Sequence, residues 1–507
     1  MSSPEPPPGA APSPTIAPAA RVVLGMLAFA PALACASLVA RHATGVPVAP
    51  DGDALASTHG FAGDPRLGAA LAYALVLATA LCVHGLLRAS LGAGVGALYG
   101  TTFLANLLVF SPIQWENLLW AARAWFFLPV AALSAGLLVL ASCRAGWPKP
   151  LAWALLASAA SGAAWLTTGG ELSARAALEQ PGAVLRFCAT ILGSPFSRTT
   201  LAPPRDLAPA LGVLVVALFA AGAAYGLGRR RDVDLRSRVL PWVVLGGYGL
   251  GSCVLTALGS HGIAEPDAAL LSAHTSLSLV VCLAALPLGV LAAADVRRNV
   301  PASRGRLRAA LEWAPAVGAG VLLAAAGLGW LVGIQAMGEW KSARLQLRTS
   351  LVFLERGEGF EPYALGDPLS AEAGRVQAAW TSGGRLLLKG YAWLPEPDRR
   401  ADGVLLTARS GDGPQRVIAL AELRGMLLPA IPEHDHIYND VWIPRVEDRA
   451  AWDASVPGEA LPRAPRVRVE AFAVDSEAMR LRRLPGPVVV HRARDGLRVE
   501  LGSDDAP

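Results

Sequence analysis

LGVLVVALFAAGAAYGLGRRRDVDLRSRVLPWVVLGGYGL, residues 211–250, places an apolar run, a short loop carrying five basic residues and a second apolar run side by side. A helix of about 20 apolar residues crosses roughly 30 Å of hydrocarbon, and Arg-rich loops are held on the cytoplasmic side. The stretch therefore reads as two membrane spans joined at an inner loop. DVRRNVPASRGRLR (295–308) carries five more basic residues, and shorter turns hold Arg88, Arg144 and Lys149. All of these loops fall on one side if the amino terminus is cytoplasmic.

Working outward, nine runs are long enough to span, near 22–40, 68–87, 91–111, 121–142, 150–168, 208–228, 239–259, 275–294 and 313–335. The whole chain agrees: of 507 residues 53% are hydrophobic and 16% charged, with 52 Gly, outside the range of a soluble globular domain. The leading stretch SSPEPPPGAAPSPTIAPAA lacks the basic region of a cleaved signal peptide. It reads as a disordered tail before a retained helix. The net charge of +5 lies in loops between spans and not on a soluble domain, which argues against a nucleic-acid partner. Five of the six cysteines lie in or at the end of apolar runs, without metal spacing, and read as small buried hydrophobes.

Near residue 340 the long runs give way to short alternating ones. RLLLKGYAWL (385–394), GVLLTA (403–408), QRVIAL (415–420), RVRVEAFAV (466–474), PVVVH (487–491) and LRVEL (497–501) are separated by turn signals such as SGG and SGDG. The expected fold class is an α-helical polytopic membrane domain of about nine helices with a C-terminal extracytoplasmic β-sandwich. The domains are a tail (1–20), the membrane domain (21–340), a linker (341–364) that begins as a helical extension of the ninth span, and the β-domain (365–507).

This topology puts several polar elements on the outer face. SPIQWENLLW (111–120) connects spans three and four; a helix continuing through it sets Glu116, Trp120 and Arg123 on one stripe. Two readings of it stand together. One is a dipole-favoured cap within an interfacial aromatic belt; the other is a headgroup site in which Glu116 and Asn117 face a polar cavity and Trp120 supplies a stacking surface. The outer segment 169–207 includes AVLRFCATILGSPF (183–196), amphipathic enough to lie on the membrane or re-enter it, and Arg186 and Arg198 there are phosphate candidates. His274 and Thr275 open the eighth span, where His274 is either an interfacial cap or a substrate contact.

Three of these elements, Trp115-Glu116-Asn117, Leu192-Gly193-Ser194-Pro195 and Ser272-Ala273-His274-Thr275, resemble in type and order those of a family of uncharacterised bacterial polytopic membrane proteins. More distantly, the layout resembles the GT-C class of glycosyltransferases. That resemblance implies transfer of a sugar from a polyprenyl-phosphate donor to an envelope glycan or lipid at the outer face of a bacterial inner membrane. It also implies an acid in the first outer loop, a role that maps onto Asp51 or Asp53 of PDGDA, with Glu116 as a third catalytic candidate. Such an acid acts as general base or holds a divalent cation against phosphate, and that cation is the one cofactor the chemistry invites. The same acids also read as solvated turn carboxylates. Membrane lipid and a polyprenyl-linked sugar are the implied partners; oligomeric state is not legible. The alternative is a non-catalytic component of an envelope-polysaccharide assembly complex whose β-domain binds glycan or protein, since KGYAWLPEPDRRADGVLL (389–406) resembles the opening of modules appended to bacterial surface-polysaccharide proteins. HDHIYNDVW (434–442) reads as a polar loop in preference to a metal site.

Overall fold

The computed structural model describes residues 17–44, 65–91, 95–119, 124, 126–142, 180–197, 204–229, 232–258, 269, 272–299, 305–356, 363–396, 398–411, 413–423, 450–493 and 496–502. The chain forms two compact units, Met1–Gly338 and Glu339–Pro507.

The first unit is helical. Its opening helices α1 (Pro18–Ala28) and α2 (Ala30–His42) meet at a 41° bend. Pro31, in the first turn of α2, has no N–H, and the N–H of Ala32 turns to Phe29 O (3.0 Å). Side chains from two other helices complete the break: Asn106 Nδ2 donates to Ala28 O (2.7 Å) and Tyr73 Oη to Ala32 O (3.0 Å). Then come α3 (Pro65–Leu91), α4 (Val95–Val109), a 3₁₀ turn at Pro112–Gln114, the short α5 (Trp115–Leu119) and α6 (Leu128–Ser142). After these stand α7 (Pro181–Ser197), α8 (Pro204–Gly228), α9 (Val233–Leu258), α10 (Ser272–Asn299) and the 52-residue α11 (Gly305–Arg356).

Among the described residues five helical stretches have the length and apolarity to cross a membrane: Arg66–Leu91, Gly96–Leu119, Leu207–Gly228, Val233–Leu258 and His274–Asn299; the bent α1–α2 pair makes a sixth when counted as one span. Of the remaining expected runs, α6 is apolar but has 15 residues, 313–335 lies inside α11, and 150–168 lies outside the described residues. Of the two readings of AVLRFCATILGSPF, lying along a surface is the one that does not fit, because in α7 Phe187, Cys188 and every residue from Thr190 to Ser197 are buried.

The second unit is built on a sheet. In chain order its strands are β1 (Ala364–Gly366), β2 (Gly374–Ser382), β3 (Arg385–Leu394), β4 (Arg399–Arg400), β5 (Gly403–Arg409), β6 (Arg416–Leu423), β7 (Ala451–Pro457), β8 (Arg466–Asp475), β9 (Arg480–Arg483), β10 (Val488–Ala493) and β11 (Gly496–Leu501). The β2–β3 hairpin turns on Gly383-Gly384, both at positive φ, the two-residue loop whose twist matches that of its strands. Instead of two separate sheets, one hydrogen-bonded path runs β1-β9-β8-β5-β6-β7-β3-β2, with β10 and β11 attached through β8. Leu386 and Leu388 of β3 share a core with Val467 and Val469 of β8 and Val490 of β10, so the path bends back on itself about β6.

The end of α11 belongs to this unit. Thr349 Oγ1 lies 2.5 Å from Ser476 Oγ, Arg400 Nε donates to Ser342 Oγ (2.9 Å), and Lys341 pairs with Glu477 (3.1 Å). Ser476 leads to a buried ionic cluster, in which Arg399 Nη2 bonds Asp402 Oδ2 (3.0 Å) and Asp475 Oδ1 (2.8 Å). Burial pushes the Asp402 carboxyl above its ordinary range, and the hydrogen bonds and charge of Arg399 draw it back.

Candidate functional site

An α-helix leaves its last four carbonyls without intrahelical donors, and the SPIQWEN segment stands where α4 ends. All four are supplied. Phe110 N bonds Asn106 O (2.9 Å) and Ser111 N bonds Leu108 O (3.1 Å). Trp330 Nε1 of α11 donates to Leu107 O (2.7 Å) and Gln114 Nε2 to Val109 O (2.7 Å). Ser111 is extended, Pro112 starts the 3₁₀ turn with its fixed φ, and α5 follows directly.

From Gln114 a buried chain of side chains crosses to α10. Ser276 Oγ donates to Gln114 Oε1 (2.8 Å), and Asn117 Nδ2 donates to Ser276 Oγ (2.8 Å). Asn117 is fully buried, Gln114 2% exposed and Ser276 9%. Two residues along α10, Ser278 Oγ donates to Leu192 O of α7.

The Leu192-Gly193-Ser194-Pro195 element has a local explanation for each of its last three residues. Pro195 sits inside α7 and has no N–H for the carbonyl four residues back. The Ser194 hydroxyl supplies the missing donor, at 2.9 Å from Ile191 O. Gly193 lies where α7 crosses α8: a Cβ there would stand 1.8 Å from Ala208 O, and a Cβ on Gly212 would stand 1.8 Å from Ala189 O. The two glycines let the backbones touch. On α11, Gly329 and Gly333 form a small-xxx-small pair; a Cβ at Gly333 would meet Ile113 N at 2.4 Å, and one at Gly329 would meet Pro195 O at 3.0 Å. W-E-N, L-G-S-P and the start of α10 thus gather at one hub, with α11 packed against it.

The candidate residues divide as follows. Asn117 is in the hub. Glu116 is half-buried in the first turn of α5, and His274 is half-buried two residues before Ser276. Arg186 is exposed on α7, six residues before Leu192 and outside the hub. Asp51, Asp53, Trp120, Arg123 and Arg198 lie outside the described residues, as does HDHIYNDVW. Among the described residues no group of three His, Cys, Asp or Glu is placed to hold a metal. Beside the hub a narrow crevice of about 30 Å³ is lined by Thr79, Val109, Gln114, Ser276, Leu279 and Leu283. That is room for a water molecule or two, not for a sugar ring.

Sequence reasoning missed Gln114 and Ser276, the two side chains that join the elements. The signal was present as one amide and one hydroxyl residue flanking the motifs, Gln114 immediately before Trp115-Glu116-Asn117 and Ser276 immediately after Ser272-Ala273-His274-Thr275. It also missed a cluster where α8 and α10 end: Asp295, 7% exposed, pairs with Arg229 (2.9 Å) and accepts from Tyr225 Oη (2.7 Å) and Asn299 Nδ2 (2.5 Å). Comparison with protein-family models, with curated proteins and with solved structures finds no match.

Proposed function

We propose that the protein is a multi-pass component of the bacterial inner membrane that acts on a lipid-linked glycan at the outer face, as a GT-C-like glycosyltransferase. In this reading the chain has nine spans, a cytoplasmic amino terminus and an extracytoplasmic β-sandwich. An acceptor hydroxyl attacks the anomeric carbon of a polyprenyl-phosphate sugar, the polyprenyl phosphate leaves, and Asp51 or Asp53 takes the acceptor proton or holds a divalent cation. Glu116 and Arg123 orient sugar and phosphate.

The observation that supports it is the convergence of three elements far apart in sequence, with Glu116 beside the fixed Asn117 at the edge of their hub. The test is release of polyprenyl phosphate by the purified protein. A cap carboxylate contributes roughly 0.3–1 kcal/mol, so Glu116→Gln should scarcely change thermal stability, while loss of one electrostatic contact in a preorganised site lowers turnover on the order of 100-fold. Wild-type turnover in Glu116→Gln would remove Glu116 from the mechanism.

A second reading, a non-catalytic member of an envelope-polysaccharide assembly complex, is favoured by the hub's own chemistry. Gln114, Asn117 and Ser276 bond one another, and the crevice beside them is smaller than a sugar. No polyprenyl phosphate release from folded protein, with a glycan phenotype on deletion, would select it.

A further inference from the structure

The second unit carries a groove on the outward face of its sheet. In β2, β3 and β7, the register sets Trp380 opposite Leu387 and Leu387 opposite Ser455; one step along, Lys389 stands opposite Asp453. Trp380 is 39% exposed, a large apolar ring left in solvent on a sheet whose other face holds the core. Lys389 Nζ lies 5.4 Å from the Trp380 ring centroid, and Arg385 Nε holds Ser455 Oγ at 2.6 Å. Trp380, Leu387, Lys389, Asp453 and Ser455, with Leu420 of β6, line an open groove of about 360 Å³, within the roughly 300–1,000 Å³ span of small-molecule sites.

We infer that this groove binds a neutral pyranose glycan, the sugar's C–H face stacked on Trp380 and its hydroxyls met by the Lys389 ammonium and the Asp453 carboxylate. An aromatic ring offers an apolar face of the size of a sugar ring, an ammonium donates without accepting, and a carboxylate accepts without donating. Vicinal hydroxyls, each both donor and acceptor, are matched by that pair standing side by side. Of the side chains that line the groove, Lys389 and Asp453 are the charged ones and they balance, so a neutral sugar suits it better than an anionic one. An extended peptide would instead add to an open sheet edge. The groove lies over β3 and β7, and β3 is paired to β2 and β7 while β7 is paired to β3 and β6. A ligand there is recognised by side chains.

The site stands apart from the transferase chemistry proposed above, so loss of polyprenyl phosphate release leaves it untouched, and loss of sugar binding leaves that assay untouched. The test uses the full chain in lipid nanodiscs, which avoids glycosidic detergents, and saturation-transfer NMR with the tetrasaccharides of β-1,4-glucose, α-1,4-glucose, α-1,6-mannose and β-1,4-N-acetylglucosamine. At least one should show saturation at ring C–H protons. Trp380→Ala should weaken that binding at least tenfold at an unchanged unfolding temperature, Trp380→Phe should retain most of it, and Lys389→Ala and Asp453→Asn should each weaken it. No saturation with any of the four, or saturation that survives Trp380→Ala, overturns the proposal. So does binding by an unstructured peptide that competes the sugar away.

Discussion

Gly193→Ala tests whether the Leu-Gly-Ser-Pro element exists for packing. The added methyl would stand 1.8 Å from Ala208 O, whereas ordinary contact begins near 3.4 Å, so α7 and α8 must part locally by about 1.6 Å. The obstacle is a backbone carbonyl in a helix, which has no rotamer to swing aside. Overpacking of a well-filled interior costs roughly 1–3 kcal/mol and at times more, and close contacts across the rest of the α7–α8 interface are lost with it. We expect at least about 2 kcal/mol, a fall of about 4–8 °C in unfolding temperature on the scale of domains of 150–250 residues. The assay is thermal unfolding in nanodiscs, followed by loss of the monodisperse chromatographic peak. Gly212→Ala strikes the same crossing from the other helix, so the double variant should cost less than the two single costs together, because helices already parted by one methyl admit the second. Gly182→Ala, with open space around its Cβ, serves as the control and should be neutral or slightly stabilising. Wild-type stability in Gly193→Ala would refute the close crossing, and with it the structural account of that motif.

Three further outcomes follow from the same geometry. Ser276→Ala removes the acceptor of Asn117 and the donor to Gln114 in a buried chain, and should cost about 1–3 kcal/mol in unfolding, while Ser276→Thr, which keeps the hydroxyl, costs less; equal stability of Ala and wild type would show that the chain contributes nothing. A fragment beginning at Glu339 should unfold at a higher temperature than one beginning at Leu365, because the former retains the Thr349–Ser476, Arg400–Ser342 and Lys341–Glu477 contacts; identical melting curves by circular dichroism would count against them. Alkaline phosphatase fused after Gly359 should be active if the basic loops at 229–238 and 295–308 lie in the cytoplasm, and an inactive but stable fusion would reverse the topology.

The β strands that alternate strongly were legible: all six quoted stretches lie in strands. Five were missed: β1, β4 and β9 are only two to four residues long, while β2 begins in Gly and β7 ends in Pro with Asp453 and Ser455 along its outward face, so they show no clean apolar period. The long apolar helices were legible from length. Their packing was not, since a glycine needed for a helix crossing and a glycine that merely occurs look alike until the partner backbone is known. Nor could hydropathy show that α7 is buried: its apolar stripe suits a membrane surface and a neighbouring helix equally well. In the site, Trp-Glu-Asn and Leu-Gly-Ser-Pro stood out as polar punctuation, but their meeting depended on Ser276 and Ser278, whose position beside a motif does not tell which helix each hydroxyl faces.

The bend between α1 and α2 has a consequence for the order of biosynthesis. The carbonyl of Ala28 is met by Asn106, 78 residues later in the chain, and that of Ala32 by Tyr73, 41 residues later. A ribosome adding about 5–20 residues per second takes roughly 4–16 s to make the longer interval. For about the first half of that time the first hydrophobic segment has neither of these donors for its bent form, and until Asn106 is made it still lacks one; hydrocarbon offers no substitute. The nascent segment would then wait at the translocon as a straighter helix or at the wet interface, and would take its final shape when α3 and α4 arrive. Asn106→Leu would leave the first helix able to insert but delay or prevent its bending, a defect of assembly rather than of insertion, visible as early turnover of the newly made chain.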